Sequence, residues 1–109
     1  MSRRGDNRHT IVLLQTEGDR STRTYMDFAS TSKALTTICG MYEVLLKSLN
    51  PGLAEMTYDV EDLFAYLDRL PELSALIYDP QLDAYVPHDR AWIKQAALSQ
   101  LQGVALPRR

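Results

Sequence analysis

Residues 11–14 read Ile-Val-Leu-Leu, and they constrain the chain more than any other stretch. In a strand, alternate side chains face opposite sides of the sheet, so Ile11 and Leu13 share one face while Val12 and Leu14 share the other. Both faces of this strand are therefore apolar. A small antiparallel sheet normally shows one apolar face and one wet one. A chain of 109 residues is large enough for one core and too small for two. Its own layers cover one face of such a strand, and the other needs a second source of cover.

The rest of the chain supplies those layers. Residues 17–22 (EGDRST) carry turn chemistry, and residues 22–29 (TRTYMDFA) alternate Thr24, Met26 and Phe28 against Arg23, Tyr25 and Asp27, which predicts a hairpin with one mixed strand. Ser30, Thr31 and Ser32 are N-cap candidates for a helix with Leu35, Ile38, Tyr42, Leu45, Leu46 and Leu49 on its apolar face, stopped by Asn50-Pro51-Gly52. Gly40 lies inside this helix at a cost of about 1 kcal/mol relative to alanine, which a close packing contact would explain. A second helix starts at Asp59, with Asp62 in its positive first turn, and runs to Pro71 with Val60, Leu63, Phe64, Leu67 and Leu70 inward. Residues 73–78 (LSALIY) form a third strand, again apolar on both faces. The turn DPQLD (79–83) leads to a fourth strand, AYV, closed by Pro87. Asp89 caps a last helix with Trp92, Ile93, Ala96, Ala97 and Leu101 inward, which makes Trp92 a core anchor.

The order is ββααββα, an α+β fold in which a four-stranded antiparallel sheet carries three amphipathic helices on one face. No repeat, linker or low-complexity tract interrupts it. A single domain over residues 9–103, with flexible tails at 1–8 and 104–109, is expected. The uncovered sheet face predicts a homodimer formed through the sheets about a two-fold axis.

Composition narrows the function. Apolar residues make up 45% and charged residues 24% of the chain, an ordinary globular balance. No apolar run approaches the roughly 20 residues that cross a bilayer, and the arginine-bearing start lacks a cleavage site, so a soluble intracellular protein without a membrane partner is expected. Net charge is −2, with arginines gathered at the ends (Arg3, Arg4, Arg8; Arg108, Arg109) and no basic stripe on any helix. Direct nucleic-acid binding, which needs such a stripe, is not expected.

Catalysis fails on inventory. The single cysteine, Cys39, falls near an apolar helix face and reads as a small core residue. Together with His9 and His88 it gives no metal spacing, and neither histidine has a carboxylate at dyad spacing. Five scattered glycines form no phosphate loop. The acids Asp59, Glu61, Asp62 and Asp68 are explained by capping and a solvated helix face. No cofactor, no metal and no enzymatic activity are expected.

Several stretches resemble the enhancer of rudimentary homologue family: HTIVLLQ (9–15), RTYMDF (23–28), MYEVLLKSLNP (41–51), TYDVEDLFAYLDRLPELSALIYD (57–79) and AYVPHDRAWIK (84–94). They follow the family's order and spacing over residues 9–95. His88 stands where an aromatic is common, and Ser30-Thr31-Ser32-Lys33 lacks the acid that commonly follows the serine opening the first helix. The resemblance implies the same sheet-and-helix fold, pairing through the sheets, and a non-catalytic scaffold. Such a scaffold binds short peptide segments of proteins in RNA metabolism, namely messenger RNA elimination, splicing and small-RNA processing. It also implies the nucleus, with the cytoplasm as a second compartment. On this reading Ile11 and Leu13 point outward into the dimer interface, joined by Met26 and Tyr78. Thr24, which opens the acidophilic tetrapeptide Thr-Tyr-Met-Asp, is a phosphorylation candidate beside Met26 on the same side, where a phosphate would bring charge into the interface next to Asp27 and weaken pairing. The competing class is an RNA-binding subunit stacking bases on Tyr25, Tyr78 and Tyr85, for which the strands offer only Arg23 as a cation.

Overall fold

The computed structural model describes residues 8–52 and 58–102. The elements are β1 (Thr10–Gln15), a short 3-10 turn (Arg20–Thr22), β2 (Arg23–Phe28), α1 (Thr31–Leu49), α2 (Val60–Arg69), β3 (Glu72–Asp79), β4 (Ala84–His88) and α3 (Arg90–Gln102). All strand pairs are antiparallel, and the sheet order is β2-β1-β3-β4. The expected α+β order ββααββα is the one observed. The expected flexible tails lie outside the described residues except Arg8.

β1 and β3 occupy the centre because they are the two strands apolar on both sides. The edges go to β2, which carries Arg23 and Asp27, and to β4. Pro87 lies inside β4 rather than closing it, since the strand runs on to His88. An edge strand tolerates the missing N–H.

Each helix starts at a side chain that takes up an otherwise orphaned backbone donor. Ser30 Oγ accepts from the Lys33 amide at 3.1 Å, and Asp89 Oδ1 accepts from the Trp92 amide at 2.9 Å. The Asp62 carboxylate accepts from the Asp59 amide at 3.3 Å. α2 ends on a cation: the Arg90 guanidinium donates to the Leu67 and Leu70 carbonyls, the latter at 2.7 Å. That satisfies acceptors at the negative end of the helix and ties α3 to α2.

The core lies between one sheet face and the helices. Val12, Leu14, Leu73 and Ala75 meet Ala34, Ile38, Cys39 and Tyr42 of α1, Leu63 and Leu67 of α2 with the following Leu70, and Ile93 and Ala97 of α3. Ala96 and Ala97 are fully buried, so α3 approaches its neighbours closely. At the edge of this layer the Thr10 and Thr31 hydroxyls pair at 2.8 Å, out of solvent.

Four expectations about packing are corrected. Leu45 and Leu49 are exposed rather than inward, because 19 residues of helix, about 28 Å, are longer than the strands beneath them. Leu101, near the end of α3, is exposed as well. Trp92 packs against the core but is only half-buried. Gly40 makes no close contact, since a Cβ there would meet nothing within 4 Å.

Gly40→Ala adds a methyl into open space while reducing the backbone freedom of the unfolded chain. It should raise stability by about 0.5–1 kcal/mol, read by denaturant unfolding. A loss of stability would show that the glycine is needed for packing.

Candidate functional site

The register separates the side chains of the sheet into two sets. Val12 stands opposite Met26 and Ala75, and Leu14 opposite Thr24 and Leu73. These residues share the face that the helices cover. The other face carries Ile11, Leu13 and Gln15 of β1, Arg23, Tyr25 and Asp27 of β2, Ser74, Leu76 and Tyr78 of β3, and Tyr85 and Pro87 of β4. No helix among the described residues packs on it. Leu13 is 38% exposed and Tyr25 68%, although Leu13 sits in a central strand.

Three of the four expected interface residues thus share the open face: Ile11, Leu13 and Tyr78. Met26 does not, because the hairpin register places it opposite Val12, against the helix-side core. Thr24 follows the same parity. It is exposed because β2 is the outer strand, and it does not face the same way as Ile11 and Leu13.

Two polar rows bound the apolar centre of this face. At one end the Arg23 guanidinium donates to Gln15 Oε1 at 2.9 Å and to Glu72 Oε2 at 2.6 Å, crossing β2, β1 and β3 in a single line. At the other end His9 sits between strands. Its Nδ1 lies 2.6 Å from the Tyr85 hydroxyl and its Nε2 lies 3.7 Å from Asp27 Oδ1. Beside it, Tyr78 packs edge-on to Tyr85 with ring centroids 5.5 Å apart. The Tyr78 hydroxyl donates to Asp83 Oδ1 at 2.5 Å, and that bond holds the Tyr78 proton above the usual phenol range. Asp83 adopts a φ of 51° in the β3–β4 turn, the left-handed conformation that aspartate tolerates better than most residues. An apolar centre with a satisfied polar rim is the usual anatomy of a protein–protein interface.

A second feature adjoins this face. Pairing between β3 and β4 stops at Ala75 and His88, and an open pocket of about 480 Å³ follows, lined by Ser74, Pro87, His88, Asp89 and Trp92. The His88 and Trp92 rings lie 4.3 Å apart at a 36° tilt. Among the described residues the buried Trp92 indole N–H has no hydrogen-bond partner.

The titratable groups of the interior are set against nucleophilic chemistry. Burial pushes the Cys39 thiol up, and the nearby Glu43 charge adds to it. Burial also raises the Tyr58 hydroxyl, reinforced by the 2.8 Å hydrogen bond it donates to Glu43. Groups that hold their protons this firmly are the opposite of activated nucleophiles. Among the described residues no group of three or more His, Cys, Asp or Glu is placed to hold a metal ion, and no helix is long and apolar enough to cross a membrane.

Fold and site together define a class: a small α+β protein whose sheet is roofed by helices on one side and presents an ordered, apolar-centred face on the other. Comparison with known proteins narrows the class to one family. The sequence profile of the Enhancer of rudimentary family matches residues 6–107, and the chain belongs to that family. An Enhancer of rudimentary homolog of Arabidopsis thaliana is 48% identical over 105 residues, covering 96% of each chain. The homolog of Dictyostelium discoideum is 44% identical over 97 residues, 89% of this chain and 97% of the relative. Enhancer of rudimentary homolog 1 of Schizosaccharomyces pombe is 31% identical over 94 residues, 85% and 86% of the two chains.

Sequence reasoning missed both the His9 bridge and the pocket. The first had a signal, since His9 shares odd parity with Ile11 and Leu13 and so falls on their face. The pocket had none, because it arises where β4 stops.

The buried thiol generates a prediction. Cys39 in the native protein should react with a charged disulfide reagent far more slowly than a free thiol does, and at the free-thiol rate once denatured. Rapid native labelling would place Cys39 at the surface.

Proposed function

We propose that the chain is a non-catalytic homodimeric scaffold. Two copies pair through the open sheet faces, and the dimer binds short peptide segments of larger proteins that act in RNA metabolism, chiefly in the nucleus. The observation that carries this reading is the open face itself. An ordered apolar centre built on Ile11, Leu13, Leu76 and Tyr78 and rimmed by closed hydrogen bonds suits burial against a copy of itself. The polar groups of the rim are paired within the chain, Arg23 with Glu72 at one end and His9 beside Asp27 at the other. Two equivalent binding surfaces on one dimer raise the effective concentration of any bivalent partner. Membership of the Enhancer of rudimentary family supports the reading. The competing RNA-binding reading is weaker, because the cation the open face carries, Arg23, already donates to Gln15 and Glu72.

A phosphate on Thr24 acts differently under this arrangement from one placed inside the interface. Thr24 belongs to the helix-side parity of an outer strand, so the added charge stays in solvent.

Sedimentation velocity tests the pairing. Ile11→Arg with Leu13→Arg places two charges without partners in the interface, a penalty of several kcal/mol, and should yield a monomer that keeps its far-ultraviolet circular dichroism. Thr24→Glu should pair like the parent chain. A double-arginine variant that still dimerises would overturn the interface, and a Thr24→Glu monomer would return that residue to it.

Affinity capture from a native extract, with and without nuclease, tests the adaptor role. Specific protein partners that survive nuclease are expected. Loss of every partner on nuclease treatment would favour the RNA-binding alternative.

A further inference from the structure

The pocket at the end of β4 has a chemistry that the adaptor reading leaves unassigned. Its walls are the Trp92 ring, the Pro87 ring and the buried His88 ring stacked on Trp92. Its polar lining residues are Ser74 and Asp89, and Asp89 is exposed. Neighbouring cations are engaged elsewhere. The Arg90 guanidinium donates to the α2 carbonyls, and Lys94 bonds both Asp68 oxygens at 3.0 and 2.9 Å. The pocket therefore joins an aromatic surface to a carboxylate with no cation of the chain bonded to it among the described residues.

We propose that this pocket receives an arginine side chain from an extended segment of a partner protein. The proposal rests on the adaptor reading and names the chemistry of its ligand. A guanidinium is flat and weakly hydrated, so it can lie against the indole while its edge N–H groups donate to a carboxylate. Asp89 meets that second requirement with its Oδ2, since Oδ1 already caps α3. A purely apolar side chain would desolvate Asp89 without return. A phosphate would face its charge, which sets the pocket against nucleic acid. The pocket is open to solvent beside the last β3–β4 pair.

Trp92 is the sole tryptophan, so its fluorescence and its indole ¹H–¹⁵N resonance report on this pocket alone. The probes are N-acetyl-arginine methylamide and its neutral isostere, N-acetyl-citrulline methylamide. The arginine probe should shift the indole resonance saturably and quench the fluorescence, with the citrulline probe at least about fivefold weaker. Asp89→Asn keeps a good N-cap residue and removes the charge. It should leave thermal unfolding and sedimentation unchanged and bring the arginine probe down to the citrulline level. Equal binding of the two probes, no saturable indole shift, or an Asp89→Asn variant that binds arginine as the parent does would each overturn the proposal. Nuclease-resistant capture on the parent chain tests the adaptor role separately. Capture without arginine binding removes the pocket assignment alone, and arginine binding without capture removes the adaptor role alone.

Discussion

The structure turns on a strand that is apolar on both sides and roofed by helices on one. β1 is central, so its Val12 and Leu14 lie under the helices and are 1% and 3% exposed. The same pleat obliges Ile11 and Leu13 to point the other way. The three helices occupy one layer, and each described contact they make with the sheet core comes from the Val12 parity. Burial of a Leu or Ile is worth roughly 1.5–3 kcal/mol, so an uncovered pair in the middle of a sheet is a substantial driving force for association. Polar rows bound the apolar centre at either end, Arg23 with Gln15 and Glu72 at one and His9 with Tyr85 and Asp27 at the other.

The helix layer is arranged to leave that face rigid. Arg90 joins α3 to the end of α2. On the far side of α3, Gln100 Nε2 donates to the Ser32 and Thr36 hydroxyls of α1, each at 3.0 Å. α3 is thus clamped at both ends, with its buried alanines in contact between. The pocket at Trp92 benefits from the same clamp, since Trp92 and Asp89 both belong to the first turn of α3 or its cap.

Much of this was legible in the residues. Runs apolar on both faces mark the two central strands, alternation marks β2, helical spacing marks three helices, and residue type marks the caps at Asp59 and Asp89 and places Ser30 among three candidates for the first. Parity within a strand is local, but which parity of β2 faces the helices depends on its register against β1, set by the turn between them. Met26 was therefore assigned to the wrong face although its alternation with Tyr25 was read correctly. Leu45, Leu49 and Leu101 have helical spacing like that of buried residues, and their exposure follows from where the sheet ends, which no helix encodes. Trp92 and His88 needed the end of β4 before their stacking could be seen. His9 acquires Asp27 and Tyr85 as partners only once three strands are assembled.

The central claim is that a second copy covers the face bearing Ile11 and Leu13. Its most direct measurement is an isotope-filtered nuclear Overhauser experiment on a mixture of labelled and unlabelled chains. The account predicts cross-chain contacts at the methyl groups of Ile11, Leu13 and Leu76 and none at those of Val12 and Leu14. Absence of any cross-chain contact at Ile11 and Leu13, or contacts confined to the exposed end of α1 around Val44 and Leu49, would contradict it.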